Sequence, residues 1–319
     1  MTLLRIGPLI VRPLIIVGAL CVTVLAAACD KEQEVFTGEP AGAIAFHATR
    51  DGNPEIYVMN PDGTGQTNLT NDTETDLEPR WSPDGSLIAF SSFRDGTQNI
   101  WVMAADGSGV TQLTEGPALD GGATWSPDGT KIAFYSFRSQ RQGLLWLMGA
   151  DGSDPVPLLA SQTPAPATEC SGGFPGAWTP DGEKVIFRGG QASEGALQIC
   201  AVRPDGSDIS VLFSRTGERA TSPDISPDGK KLVFSFAPAD EPGNIEIYAA
   251  HADGGNLRRL TDDPAADDEP SWSPDGQWIA FHSDRGGNFD IYIMRPDGSD
   301  VRRLTSDPSD DVDPDWGPE

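Results

Sequence analysis

The 319-residue chain has only three histidines, His47, His251 and His282, and four cysteines with no C-x-x-C pair. It contains no G-x-S-x-G elbow, no H-E-x-x-H and no P-loop. The usual hydrolase, zinc and nucleotide-binding chemistries therefore lack their residues. Basic residues are also scarce: 22 Lys and Arg stand against 48 Asp and Glu, a formal net charge of −26. Such a chain repels phosphate backbones and anionic membrane surfaces, so nucleic acid is excluded as a partner. What the chain has in abundance is turn-formers. Glycine (36) and proline (27) make up a fifth of it, against ~12% in ordinary globular proteins. With 38% hydrophobic residues it can still build a core. That combination points to many turns between short strands.

The N-terminus reads as an address. Arg5 and Arg12 precede an apolar run, Leu14 to Ala28, of 15 residues. This is the charged region and apolar core of a secretory signal, and it is short of the ~20 residues of a membrane-spanning helix. Leu25-Ala-Ala-Ala-Cys29 resembles a bacterial lipobox, in which the cysteine is lipidated and becomes the mature N-terminus. Here Leu25 lies four residues before Cys29, where the usual pattern has three. The expected organisation is a signal peptide over 1–28, a lipidated Cys29 with a polar tether over 29–42, and one domain over 43–319. Simple secretion is the alternative.

That domain is a repeat. Trp81-Ser-Pro-Asp-Gly85 recurs at 125–129, 178–182 (Trp-Thr-Pro-Asp-Gly), 225–229 (Ile-Ser-Pro-Asp-Gly) and 272–276, and a truncated copy ends at Trp316-Gly-Pro. The steps are 44, 53, 47, 47 and 44 residues. Three further strand-like segments keep the same phase, among them Ile-Ala-Phe or a relative at 44–46, 88–90, 132–134, 185–187, 232–234 and 279–281. Eleven aspartates sit in Pro-Asp-Gly or Ala-Asp-Gly turns between these segments. There Pro presets φ, Asp bonds its own backbone and Gly takes the positive-φ position. Four-stranded units repeating every ~45 residues mark a β-propeller. The first unit lacks its Pro-x-Trp strand and the chain end supplies a spare one. The prediction is an all-β, six-bladed propeller of four-stranded antiparallel blades, closed when the C-terminal strand joins the first blade.

The succession W-S-P-D-G-x-x-I-A-F, then I-Y-V-M-x-x-D-G, resembles the repeat of TolB-type propellers. The same repeat occurs in the propellers of dipeptidyl-peptidase-like enzymes. It is not the WD40 signature, because no Trp-Asp dipeptide occurs. The resemblance covers 43–317 and implies a platform that binds protein partners in the cell envelope. TolB also has an N-terminal α/β domain, for which the tether leaves no room. The peptidases have a C-terminal hydrolase domain, whereas this sequence stops at Glu319.

Several residues are candidates for chemistry. Five before the repeat tryptophan lie Asp76, Asp120, Asp267 and Asp311, with Gly173 and Ala220 breaking the set. Three before it lie Glu78, Glu269 and Asp313. By the resemblance, the Pro-x-Trp strand is innermost, which places these acids near one channel mouth. Carboxylates there focus negative potential and suit a hard cation such as Ca2+; the alternative is that each aspartate caps its own loop. His47 and His282 follow Ile-Ala-Phe in the first and last units, which adjoin if the ring closes, and could bind a metal or exchange protons. Tyr57, Trp101, Trp146, Tyr248 and Tyr292 share one strand position and read as packing between blades. Unit four has Cys200 there, and its enlarged entry loop, 161–174, holds Cys170. In an exported protein these two cysteines suggest a disulfide.

The function expected is a non-catalytic, envelope-anchored scaffold. It would be a monomer that binds a protein or peptide and touches the membrane only through the lipid on Cys29. The alternative is a cation-dependent carbohydrate-binding or lyase-type propeller using the acidic mouth.

Overall fold

The computed structural model describes residues 36, 38–138, 144–159, 170, 172–190, 197–215, 218–241 and 243–318. The signal peptide, Cys29 and most of the 161–174 loop lie outside them.

The described residues form six four-stranded antiparallel sheets. In the first, β1 (Ile44–Ala48) pairs with β2 (Glu55–Met59), which pairs with β3 (Thr67–Asn68). The missing inner strand comes from the far end of the chain. It is β24 (Asp311–Trp316), paired with β1 in the register Ile44↔Trp316 and Ala48↔Asp311. The other five blades each begin with their own inner strand: β4 (Asp76–Trp81), β8 (Asp120–Trp125), β12 (Phe174–Trp178), β16 (Arg219–Ile225) and β20 (Asp267–Trp272). This is the predicted propeller and the predicted closure. No described helix is long and apolar enough to cross a membrane.

The turns form for the expected reason. Asp84 Oδ1 accepts hydrogen bonds from the Ser86 N–H (3.0 Å) and the Ser82 hydroxyl (2.7 Å), and Ser82 Oγ accepts from Leu87 N. Asp128, Asp181, Asp228 and Asp275 repeat the arrangement. These donors pull the Asp84 and Asp128 carboxyls down to about 2. In the outer hairpins the glycine has a second task. Gly107, at φ 83°, is so close to blade 1 that a Cβ there would sit 2.8 Å from the Leu69 carbonyl oxygen.

Among the described residues the core lies between blades, in six separate apolar clusters. The phenylalanine of each Ile-Ala-Phe segment (Phe46, Phe90, Phe134, Phe187, Phe234 and Phe281) is completely buried. The strand-position aromatics pack on them, as with Tyr57 on Phe46 and Tyr292 on Phe281, each at 5.7 Å. In blade 4 the Cys170–Cys200 disulfide takes that place, with Cα atoms 6.0 Å apart.

A short N-terminal strap also docks. The Trp278 indole N–H and the Arg295 guanidinium both donate to the Gly38 carbonyl, at 3.3 and 2.8 Å. Trp278 is fully buried, with Arg295 and Arg302 stacked on it at 3.7 and 4.5 Å.

Deleting 312–319 removes nearly all of β24 and exposes the β1 edge. The truncated protein is expected to melt at least about 10 °C lower, or without a cooperative transition, since each kcal/mol is worth ~2–4 °C at this size. Calorimetry of the two proteins checks this.

Candidate functional site: the central channel

Every inner strand has a bulge about three residues before its repeat tryptophan, or before Ile225 in blade 5. The extra residue is left-handed in five blades: Glu78 (φ 56°), Gly122 (58°), Ser222 (48°), Glu269 (55°) and Asp313 (60°). Pro175 holds the sixth place. A bulge re-aims a side chain, and these point into the ring. They line one central cavity of about 470 Å3 to which all six inner strands contribute.

The predicted acids separate into two sets. Asp76, Asp120, Asp267 and Asp311 are fully buried. Each pairs with an arginine of its own blade: Arg94 (2.7 Å), Arg138 (2.5 Å), Arg285 (2.7 Å) and Arg50 (2.5 Å). Those arginines lie over the blade aromatics, as Arg285 lies 5.1 Å from Tyr292 and 5.6 Å from Phe281. The four aspartates are held apart, blade by blade. The arginines were missed, though a signal existed. Each lies four residues after its Phe, and the two blades whose aspartate is Gly173 or Ala220 have Gln191 and Pro238 there. Acid and base disappear together.

Glu78, Glu269, Asp313, His47 and His282 do come together. Glu269 is hydrogen-bonded to Asp313. Burial, then the Asp313 charge, pushes Glu269 well above the usual carboxylate range. Asp313 goes down to about 2: burial opposes this, but the Glu269 hydrogen bond, Arg80 and the two histidines outweigh it. His47 Nδ1 lies 3.5 Å from Asp313, and His282 Nδ1 lies 3.4 Å from Glu269. Arg80 approaches Asp313 at 3.8 Å and Asp315 at 4.0 Å. Glu78 accepts from the Ser91 hydroxyl (2.6 Å) and Gly122 N (2.8 Å), and burial raises it.

His282 has a seam role as well. Its Nδ1 accepts from Asp313 N at 3.3 Å. Ser91 and Ser235 hold the same place in blades 2 and 5 and accept from Gly122 N and Glu269 N at 3.3 and 3.0 Å. Among the described residues no group of three or more His, Cys, Asp or Glu is arranged to hold a metal ion.

Opposite these acids the cavity is basic and aromatic. Arg188 lies 4.0 Å above the Phe174 ring, and Tyr135 packs against Phe174 at 4.7 Å with the rings tilted by 45°. Burial, reinforced by Arg219, lowers the Arg188 pKa.

With this geometry in view, the family is clear. The TolB beta propeller domain matches residues 39–114, 79–237 and 212–319. The chain belongs to that family. Among solved structures, TolB from Acinetobacter baumannii superimposes with a TM-score of 0.74 at 21% identity, over 89% of this chain and 68% of that one. An uncharacterised peptidase of Bacillus subtilis, YuxL, is 31% identical over 109 residues, 32% of this chain. The Tol-Pal system protein TolB of Anaeromyxobacter dehalogenans is 31% identical over 102 residues, 30% of this chain. The matched stretches span only 16% and 20% of those two proteins. In this TolB-type propeller the repeat explains the arginine-clamped aspartates, whereas the channel acids occur in only three of six blades.

Two outcomes follow. Asp267→Ala leaves Arg285 unpaired against buried aromatics and is expected to cost about 2–3 kcal/mol in chemical denaturation. Burial lowers the pKa of both His47 and His282. A base depressed in the fold stabilises it above pH 6.5, and that contribution is lost as pH falls through the folded value. Glu269 acts in the opposite sense, so the histidine share is a difference. The Tm advantage of wild type over His282→Ser, which keeps a seam acceptor, should shrink from pH 7 to pH 5.

Proposed function

We propose that this protein is an exported, envelope-anchored propeller that binds a protein or peptide partner at its acidic channel, without catalysis. One observation carries the reading. Glu78, Glu269 and Asp313 are held in left-handed backbone at bulges that aim them into one cavity. Non-glycine residues in that conformation cost about 1 kcal/mol or more, and cluster where ligands bind. Membership of the TolB family supports a binding role, as does likeness to a protein named for the Tol-Pal system.

The N-terminal sequence supports the anchoring. A signal-like run ends at Cys29, and the strap docks from Gly38 onward, beside the Asp275 turn of blade 6. The intervening chain reaches no more than about 30 Å when fully extended. A lipid on Cys29 would hold the Pro-Asp-Gly face within that distance of the bilayer.

The test is a crosslinking pull-down from intact envelopes, with wild type, Asp267→Ala and a Glu78→Gln/Glu269→Gln/Asp313→Asn triple variant as baits. A protein recovered by the first two and lost with the third is expected. Equal recovery by all three would remove the channel from the reading. Palmitate labelling that is absent in Cys29→Ser is expected for the anchor; labelling unchanged by that substitution, or absent from wild type, would leave a secreted protein.

A further inference from the structure

The cavity is charged oppositely on its two sides. Blades 1, 2 and 6 contribute Asp313, Glu78 and Glu269. Blade 4 stands across a six-membered ring from blade 1, and it contributes Arg188. Among the described residues Arg188 forms no ion pair; it lies over the Phe174 face, with Asp268 an opposing charge beyond ion-pair distance and Arg219 a repelling one. Its charge is poorly solvated, as the lowered pKa indicates. The acids opposite are short of cations, since Arg80 is the one guanidinium on that side and is shared between Asp313 and Asp315. Each wall thus lacks a close counter-charge, and among the described residues no ion pair joins Arg188 to the acids opposite.

A ligand that completes both walls has a cation at one end and an anion at the other. The acceptors on the acid side are spread over three blades, which suits the three diverging donors of an ammonium group. The donor on the far side is a planar fork, which suits a carboxylate. Between them Phe174, Tyr135 and Pro223 offer apolar surface. A cavity of about 470 Å3 falls in the ~300–1,000 Å3 range of small-molecule sites.

We propose that the channel binds a short zwitterionic molecule of the dipeptide or tripeptide class, with its free ammonium among Glu78, Glu269 and Asp313 and its free carboxylate on Arg188. The inference rests on the peptide-binding reading above and narrows it, because it requires both chain ends to be free and inside the ring. A simple dication satisfies the acids but is repelled by Arg188. An internal peptide segment has neither charge.

The experiment is calorimetric titration of the signal-free propeller with Ala-Phe and Ala-Ala-Phe. The same peptides N-acetylated or C-amidated, together with cadaverine and Ca2+, are the comparisons. Saturable binding of at least one free peptide is expected, weakened about 10–100-fold by either cap, as loss of one charge-assisted contact implies. Arg188→Gln should bind the free and amidated forms equally. Glu269→Gln/Asp313→Asn should bind the free and acetylated forms equally. Both variants are checked for a wild-type melting curve, and if either unfolds, the caps on wild type alone decide. No binding of either free peptide would overturn the proposal, as would binding that tolerates both caps, or tighter binding of cadaverine or Ca2+. A protein captured in the pull-down without peptide binding would sink this proposal and leave the scaffold reading standing. Peptide binding without a captured protein would do the reverse.

Discussion

A propeller has an open edge until its last strand finds its first, and everything else in this molecule depends on that pairing. Here β24 lies against β1 with Gly317 N donating to the Ala43 carbonyl at 2.8 Å beyond the paired residues. The closure is also tied sideways. Asp315 accepts the Trp81 N–H across the seam to blade 2 at 2.7 Å, and Trp316 N donates to Ser271 of blade 6 at 3.1 Å. The same short segment therefore completes a sheet and joins two neighbours. It also delivers Asp313 to the channel. Folding and the candidate site share eight residues at the end of the chain, so the site cannot exist in an open ring.

The acidity of the protein divides along the same geometry. One set of aspartates makes turns and is satisfied locally. A second set is buried under arginines that also cover aromatic faces, so that a single guanidinium neutralises a charge and packs a core. Blade 5 shows the alternative solution: Ala220 faces Phe236, which packs edge-on to Tyr248 at 5.0 Å, and no ion pair is needed. A well-packed apolar replacement of a buried pair is often energetically neutral or stabilising. A third set, on the bulges, faces the cavity with its charge incompletely matched, beside Asp224 and Asp315 of the same lining. Net charge thus says little about function, whereas the location of each carboxylate says a good deal.

Much of the fold was legible because the repeat fixes it six times over. Trp-Ser-Pro-Asp-Gly or a one-residue variant marks the first hairpin of five blades, and the orphan Trp316 announces the closing strand. The Cys170–Cys200 bridge could be read from the loss of an aromatic at Cys200. The site was less legible, for a physical reason. Counting back from tryptophan puts Asp76 and Glu78 two residues apart on one strand, which looks like one acidic mouth. The bulge between them changes what each faces, and a bulge has no sequence signature when Glu or Asp replaces glycine. The seam role of His282 was equally hidden, since a serine serves in blades 2 and 5. Arg188 was visible only as an odd residue in a tolerant position.

Blade 4 is where the repeat gives way, and the departures agree with one another. Gly173 replaces the clamped aspartate, and a Cβ there would meet the Leu145 side chain at 2.7 Å. Without that aspartate an arginine clamp has nothing to hold, and the disulfide takes over the packing beneath Phe187. Pro175 cannot adopt the left-handed bulge that its five counterparts share. The position that elsewhere holds Ser, Tyr or His becomes Arg188, resting on Phe174. A ring of six equal blades would give a channel of one polarity, attractive to any cation. One altered blade opposite the closing blade gives the channel two poles and a direction. Symmetry supplies the rigid frame, and the single break in it supplies the means to discriminate.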